Sequence, residues 1–173
     1  MLELPLHSSV LFVLVHPHYP ENVGAAARAI KTMGFTRLAL IKPSRLAIPE
    51  HEMAQKMAVK SWDVLSATQV FSSVDEATRG SDLVAVTTSR SGVSSIESPR
   101  EFSNLAFDLA RDGKRVAILF GNEKTGLSSD LVDSYQHRIR IPMAAEQPSI
   151  NLAQATQLVA YELFVTALKR RFE

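Results

Sequence analysis

The chain has 173 residues, 46% of them hydrophobic and 21% charged, with a net charge of +1 and no cysteine. That size and balance suit one globular domain over 1–173 with a single core, and they exclude a disordered chain. Without cysteine there is no disulfide, thiol nucleophile or cysteine-ligated zinc, which fits a reducing cytoplasm. No apolar run approaches the ~20 residues that a membrane helix needs.

The opening MLELPLHSSVLFVLVHPHYP has no basic leader, so its short apolar stretch reads as a strand rather than a signal peptide. Val10–Val15 (VLFVLV) is apolar throughout, the mark of a strand buried on both faces. His16–Pro20 breaks it, because proline cannot continue a ladder. From Asn22 the pattern turns helical, with Val23, Ala26, Ala27, Ile30 and Met33 recurring at three and four, and Gly34 as the stop. Leu38–Ile41 reads as a second buried strand, ended by Lys42-Pro43. Residues 50–62 read as one helix, Val70–Ser72 as a short strand and Val74–Arg79 as a short helix. Leu83–Thr88 is a further buried strand, followed by the polar stretch Ser89–Ser95. Pro99–Ala110 reads as a helix, Arg115–Phe120 as a strand, Leu127–Tyr135 as a helix and Arg138–Ile141 as the last strand, stopped by Pro142. Ile150–Arg171 is the longest helix, with Leu152, Ala155, Val159, Leu163 and Thr166 along one stripe.

Apolar strands alternating with helices predict an α/β fold: a mainly parallel sheet with helices on both faces. Ligands of such sheets bind beyond the carboxyl ends of the strands. The loops that can carry chemistry are therefore 16–22, 87–95, 120–126 and 142–151.

In the first, Asn22–Arg28 (NVGAAAR), Gly24 and three alanines allow close helix packing, and Asn22 can cap the helix. Arg28 taken alone reads as a surface residue with its stem on the core. The G-x-G-x-x-G spacing of a dinucleotide fingerprint is missing. In the second, Phe120–Leu127 (FGNEKTGL), Gly121 to Gly126 mimics a phosphate loop, but Leu127 stands where the lysine of an NTPase belongs. What remains is a glycine-flanked turn carrying Glu123. In the third, Ile141–Asn151 (IPMAAEQPSIN), two prolines stiffen the loop, and Ser149 and Asn151 stand where they can cap the last helix or face a ligand.

The basic clusters Lys31/Arg37/Lys42/Arg45, Arg111/Lys114/Arg115, Arg138/Arg140 and Lys169/Arg170/Arg171 read individually as solvated surface. A net charge of +1 argues neither for nor against nucleic acid. His16-x-His18 has no third ligand nearby, so no metal is expected.

Each motif alone is weak, and their order together is specific. Asn-x-Gly-x-x-x-Arg, then Phe-Gly-x-Glu-x-x-Gly-Leu, then Ile-Pro with Ser-x-Asn before a helix resembles the three signatures of the SpoU, or TrmH-like, branch of SPOUT RNA 2′-O-methyltransferases. The resemblance runs from about Val10 to Glu162. The run Ala27–Gly34, the pair Thr88-Ser89 and Ala160-Tyr161-Glu162 look most like the TrmJ-type tRNA methyltransferases. TrmJ-type members often carry a C-terminal extension beyond the equivalent of Glu173.

The resemblance implies a C-terminal trefoil knot, which periodicity does not show, and S-adenosyl-L-methionine as methyl donor. It implies a homodimer with the RNA site between subunits. Carried over by position, Thr88, Ser89, Arg90, Gly121, Ile141, Ser149, Ile150 and Asn151 hold the cofactor. Arg28, Asn22, Glu123, Ser149 and Asn151 form the catalytic set. This chain departs mildly: Thr87-Thr88-Ser89-Arg90-Ser91 replaces the common Gly-Thr-Ser-Ala-Arg, which shifts the alignment of Arg90, and Ile150 replaces leucine. The family proposes the arginine matching Arg28 as base. A guanidinium offers no acceptor lone pair, so the physical expectation is instead a clamp on phosphate and developing alkoxide.

The expected reaction is ribose 2′-O-methylation of tRNA in the cytoplasm, with pyrimidine 32 of the anticodon loop as first choice. The tRNA wobble nucleotide and ribosomal RNA are the alternatives within the class. A nucleotide-dependent reductase or kinase is opposed by the missing glycines and lysine. A non-catalytic RNA-binding factor on the same fold is opposed by the intact motif residues.

Overall fold

The computed structural model describes residues 3–144 and 150–173. Seven parallel strands form one sheet in the order β3-β2-β1-β6-β4-β7-β5. They are β1 (Val10–Val15), β2 (Leu38–Ile41), β3 (Gln69–Phe71), β4 (Leu83–Thr87), β5 (Ile96–Glu97), β6 (Val116–Phe120) and β7 (His137–Ile139). Among the described residues, eight helices connect and cover them: α1 (Pro5–Ser9), α2 (Pro20–Thr32), α3 (Glu52–Ala58), α4 (Trp62–Ser66), α5 (Val74–Thr78), α6 (Pro99–Arg111), α7 (Ser129–Ser134) and α8 (Leu152–Arg170).

The continuous apolar strands are explained by two cores, one on each face. All six β1 residues are buried. Val10, Phe12 and Leu14 point into the larger core with α1, α2, α3, α4, α6 and α8. Leu11, Val13 and Val15 point into the smaller one beneath α5 and α7. In β6, Val116, Ile118 and Phe120 join the first core, and Ala117 and Leu119 join the second. Period-two alternation makes this division unavoidable for a central strand.

α2 packs tightly because of one residue. A Cβ added to Gly24 would stand 1.9 Å from the Ala54 carbonyl oxygen, so only glycine lets α3 approach this closely. The helix expected over 50–62 is two helices, α3 and α4. Val59 ends the first at φ +50° and ψ −109°, a positive-φ conformation that a β-branched residue rarely adopts. Ser61 N–H then bonds the Ala58 carbonyl at 2.9 Å and α4 begins. Neither α1 nor β5 is visible as a pattern. Five and two residues are too short to show a period.

The sheet order places β6 between β1 and β4, and β7 between β4 and β5. The carboxyl ends of β4, β6 and β7 therefore converge at one edge, where the second, third and fourth of the expected loops leave the sheet. Among the described residues, no helix is long and apolar enough to cross a membrane.

Candidate active site

At that edge lies a pocket of about 240 Å³. Thr87, Thr88 and Ser89 line it from the end of β4, the Gly121–Leu127 turn from the end of β6, and Ile139, Ile141 and Met143 from β7 onward. Ile150, Leu152 and Ala155 close it from α8. Polar and apolar side chains share its walls almost evenly.

The Gly121–Leu127 turn owes its shape to two glycines. A Cβ at Gly121 would stand 2.3 Å from both the Gly126 carbonyl carbon and the Leu127 nitrogen, so the chain doubles back directly over this residue. Gly126 takes φ +67°, open to glycine without strain. Asn122 Oδ1 accepts from Lys124 N at 2.8 Å and Thr125 N at 3.3 Å, and Gly126 N donates to Asn122 O at 2.8 Å. Asn122 Nδ2 donates to His16 O at 2.6 Å, fastening the turn to the end of β1.

Glu123 then joins the loops. Its carboxylate accepts from His18 N at 2.8 Å, Tyr19 N at 3.2 Å and Asn22 Nδ2 at 2.9 Å. Asn22 Oδ1 in turn accepts from Asn151 Nδ2 at 3.0 Å. Asn151 Oδ1 caps α8, accepting from Ala153 N at 2.9 Å and Gln154 N at 3.3 Å. One polar relay thus runs from the first motif through the second to the third. Its amide orientations are fixed, since Asn22 Nδ2 faces a carboxylate and Asn151 Oδ1 faces two N–H donors.

The relay corrects one expectation. Asn22 is not the cap of its helix. Pro20 starts α2 and Tyr19 is the N-cap, with no side-chain bond of its own. Glu123, 104 residues from Tyr19, accepts the N–H of this N-cap residue, and its carboxylate sits favourably at the positive end of α2. Asn22 is 8% exposed and serves as the middle of the relay.

Arg90 lines the pocket but its guanidinium works as a strap. Nη2 donates to Leu127 O at 2.7 Å and Nη1 to Ser129 Oγ. Thr88 N donates to Ile139 O at 2.9 Å, and Arg90 N to Thr88 Oγ1 at 3.2 Å. These bonds tie the loop after β4 to β7 and to the exit of the Gly121–Leu127 turn.

Thr88, Ser89, Arg90, Gly121, Glu123, Ile141 and Ile150 all line the pocket. Asn22 and Asn151 support it through the relay. Ser149 lies outside the described residues. Arg28 stands apart. It is exposed, on the outer face of α2, and is not among the lining residues. Six residues beyond Asn22 on a helix is about 9 Å of axial rise, nearly two turns from the relay residue. Asn122, Met143 and Leu152 also line the pocket, although the sequence marked none as a site residue: Asn122 lies inside the second motif, Met143 inside the third, and Leu152 read only as part of an apolar stripe.

The SpoU rRNA Methylase family matches residues 9–161. The tRNA (cytidine/uridine-2'-O-)-methyltransferase TrmJ of Photorhabdus laumondii subsp. laumondii is 35% identical over 166 residues, covering 94% of this chain and 67% of that protein. The crystal structure of a "Probable Methyltransferase" from Bordetella pertussis Tohama I superposes with a TM-score of 0.88 at 34% identity, covering 94% of this chain and 98% of that one. TrmJ from Z. mobilis ZM4 superposes with a TM-score of 0.79 at 32% identity, over 90% of this chain and 68% of the other. The chain spans about two thirds of the length of the curated relatives it matches. With the three motifs joined by one relay beside the pocket and nearly the whole chain matched, the protein belongs to the SpoU methylase family.

Proposed function

We propose that this chain is a single S-adenosylmethionine-dependent methyltransferase domain that methylates a ribose 2′-hydroxyl of tRNA, at pyrimidine 32 of the anticodon loop, as a homodimer. The observation that carries this reading is the Glu123–Asn22–Asn151 relay, which closes three motif loops around one pocket. The TrmJ name of the relatives supports tRNA and a pyrimidine. The family's trefoil knot belongs to the same reading. The position of β7 between β4 and β5, with α8 returning onto α2 and α6, supports it.

The pocket residues fit the cofactor. Leu127, Ile139, Ile141, Ile150 and Leu152 offer an apolar slot for a planar purine, and the Thr87–Ser89 rim offers partners for its polar atoms. When bound, S-adenosylmethionine supplies an electrophilic methyl on a positively charged sulfur. Glu123 is committed to three donors, which holds the turn and leaves it unsuited to removing a proton. Arg28 then has to serve the ribose from elsewhere. In a two-fold dimer, the exposed face of α2 from one subunit meets the pocket of the other. Leu158 and Tyr161 are exposed on the neighbouring α8, 42% and 49%, and suit such a contact. Arg28 of the partner there clamps a phosphate and stabilises the 2′-oxygen as its proton leaves to water.

Calorimetric titration with S-adenosylmethionine, followed by radiolabelled cofactor with tRNA and ribosomal RNA, tests the class. Saturable binding with label at one pyrimidine ribose of tRNA is expected. Label in ribosomal RNA alone moves the substrate, and no binding overturns the reading. Mixing Arg28→Ala subunits with Asn151→Ala subunits tests the dimer. A site shared between subunits regains about a quarter of full activity in random mixed dimers, and a site within one chain regains none.

A further inference from the structure

A second depression, of about 520 Å³, opens on the other side of the first turn of α2. Its walls are His18, Tyr19 and Glu21 on one side and Ser44, Arg45 and His51 on the other. Both walls are pinned. Ser44 Oγ donates to His18 O at 2.7 Å, Ser44 N donates to Pro17 O at 2.9 Å, and His51 Nδ1 caps α3 by accepting from Met53 N at 3.1 Å.

The surface is aromatic and cationic. Tyr19 is 42% exposed, with the His18 ring set edge-on at 4.6 Å and 87°. Lys124 Nζ lies 5.5 Å from the Tyr19 ring centroid and 3.3 Å from His18 Nε2. Arg45 is exposed on the facing wall. Glu21 is the acidic lining residue, and it sits in the first turn of α2, where a carboxylate suits the helix dipole. An exposed ring with one cation over it and a second on the facing wall suits a nucleotide: the base stacks on the ring and the phosphate meets the cations.

The depression also adjoins the methyl pocket. Glu123, which lines that pocket, accepts from the backbone N–H groups of His18 and Tyr19. Lys124, the next residue of the same turn, lines the pocket and reaches over Tyr19.

We propose that this depression holds the nucleotide of single-stranded RNA next to the methylated one, with its base on Tyr19 and its phosphate against Arg45 and Lys124. This rests on the RNA methyltransferase reading above. The subsite splays the neighbour away from the target and so presents the target ribose to the pocket.

The test uses the full chain and an unmodified full-length tRNA transcript. Binding is measured by filter retention over a salt series, methyl transfer by label, and S-adenosylmethionine affinity by calorimetry. Tyr19→Ala is expected to weaken tRNA binding at least about tenfold, and Tyr19→Phe to restore it, because stacking needs the ring and not the hydroxyl. Arg45→Ala is expected to weaken binding and lower the salt slope by about one. Both alanine variants keep wild-type S-adenosylmethionine affinity, which also shows that they fold. A transcript with an abasic site beside the target should show the Tyr19→Ala loss with wild-type protein and no further loss with the variant. If the wild type methylates tRNA and both alanine variants bind it within about twofold of wild type, the subsite is overturned. If the wild type methylates no RNA, the parent reading has failed and the subsite falls with it.

Discussion

The two ends of α2 differ in kind. Its first turn is bound into the protein by Glu123 and, through Asn22, by Asn151. Two turns on, Arg28 is exposed and outside the pocket. Both come from the same seven-residue motif. One end is preorganised within the chain, and the other presents a cation outward. Within one motif, Asn22 joins the relay and Gly24 lets α3 close on α2, while Arg28 faces outward.

The largest effect expected along this division is on chemistry, at the outward end. Arg28→Ala should lower methyl transfer by about 10²–10³ while leaving unfolding free energy within about 0.5 kcal/mol of wild type. Arg28→Lys should remain poorly active, since a point charge does not replace a fork. Single-turnover rates and denaturant melts read the two halves of this prediction, and near-wild-type turnover would remove Arg28 from the mechanism.

Next comes the buried side of the same helix. Gly24→Ala drives a Cβ into the Ala54 carbonyl and should destabilise by about 2–3 kcal/mol, with α3 displaced from α2. An unchanged denaturation midpoint would show that α3 is free to shift.

Within the relay, Glu123→Gln replaces an acceptor oxygen by an NH₂ group facing backbone donors. A loss of about 1–2 kcal/mol is expected, together with weaker S-adenosylmethionine binding. A double-mutant cycle between Asn22 and Asn151 should give a coupling of about 0.5–1.5 kcal/mol, and additivity would mean that the 3.0 Å contact carries no energy.

The smallest effect lies behind α2. His7 packs against Phe35 and Phe164, with its Nε2 buried and unpaired, and a Cβ at Gly34 would collide with its ring. Desolvation by burial holds its pKa below the usual 6.5. The unfolded chain therefore binds the proton first as pH falls, and stability drops between 6.5 and the lowered folded value. Above 6.5 both states are neutral at this residue and the contribution is level. Melts from pH 8 to 5 should show this slope in wild type and lose it in His7→Phe.

The strands of the sheet's centre were legible in the sequence because a strand buried on both faces must be apolar at every position. β1 and β2 begin and end where their runs do. Gly24 and the Asn151 cap were legible too, for each answers a local demand, close packing in one case and unpaired N–H groups in the other. The split at Val59 was not, since nothing in its side chain announces a positive φ that surrounding packing imposes. Nor was Asn22's true place, because its partners are Glu123 and Asn151, each more than a hundred residues away.

Sequence alone determined the alternation of the elements, the two-sided burial of the central strands and the residue types gathered in three loops. These are properties of hydrophobic period and local backbone chemistry, which act over a few residues. Only the tertiary structure decided that Glu123, Asn22 and Asn151 form one relay and that Arg28 faces away from it. Contacts between residues a hundred positions apart are set by strand order and helix packing, which leave no periodic trace in the chain.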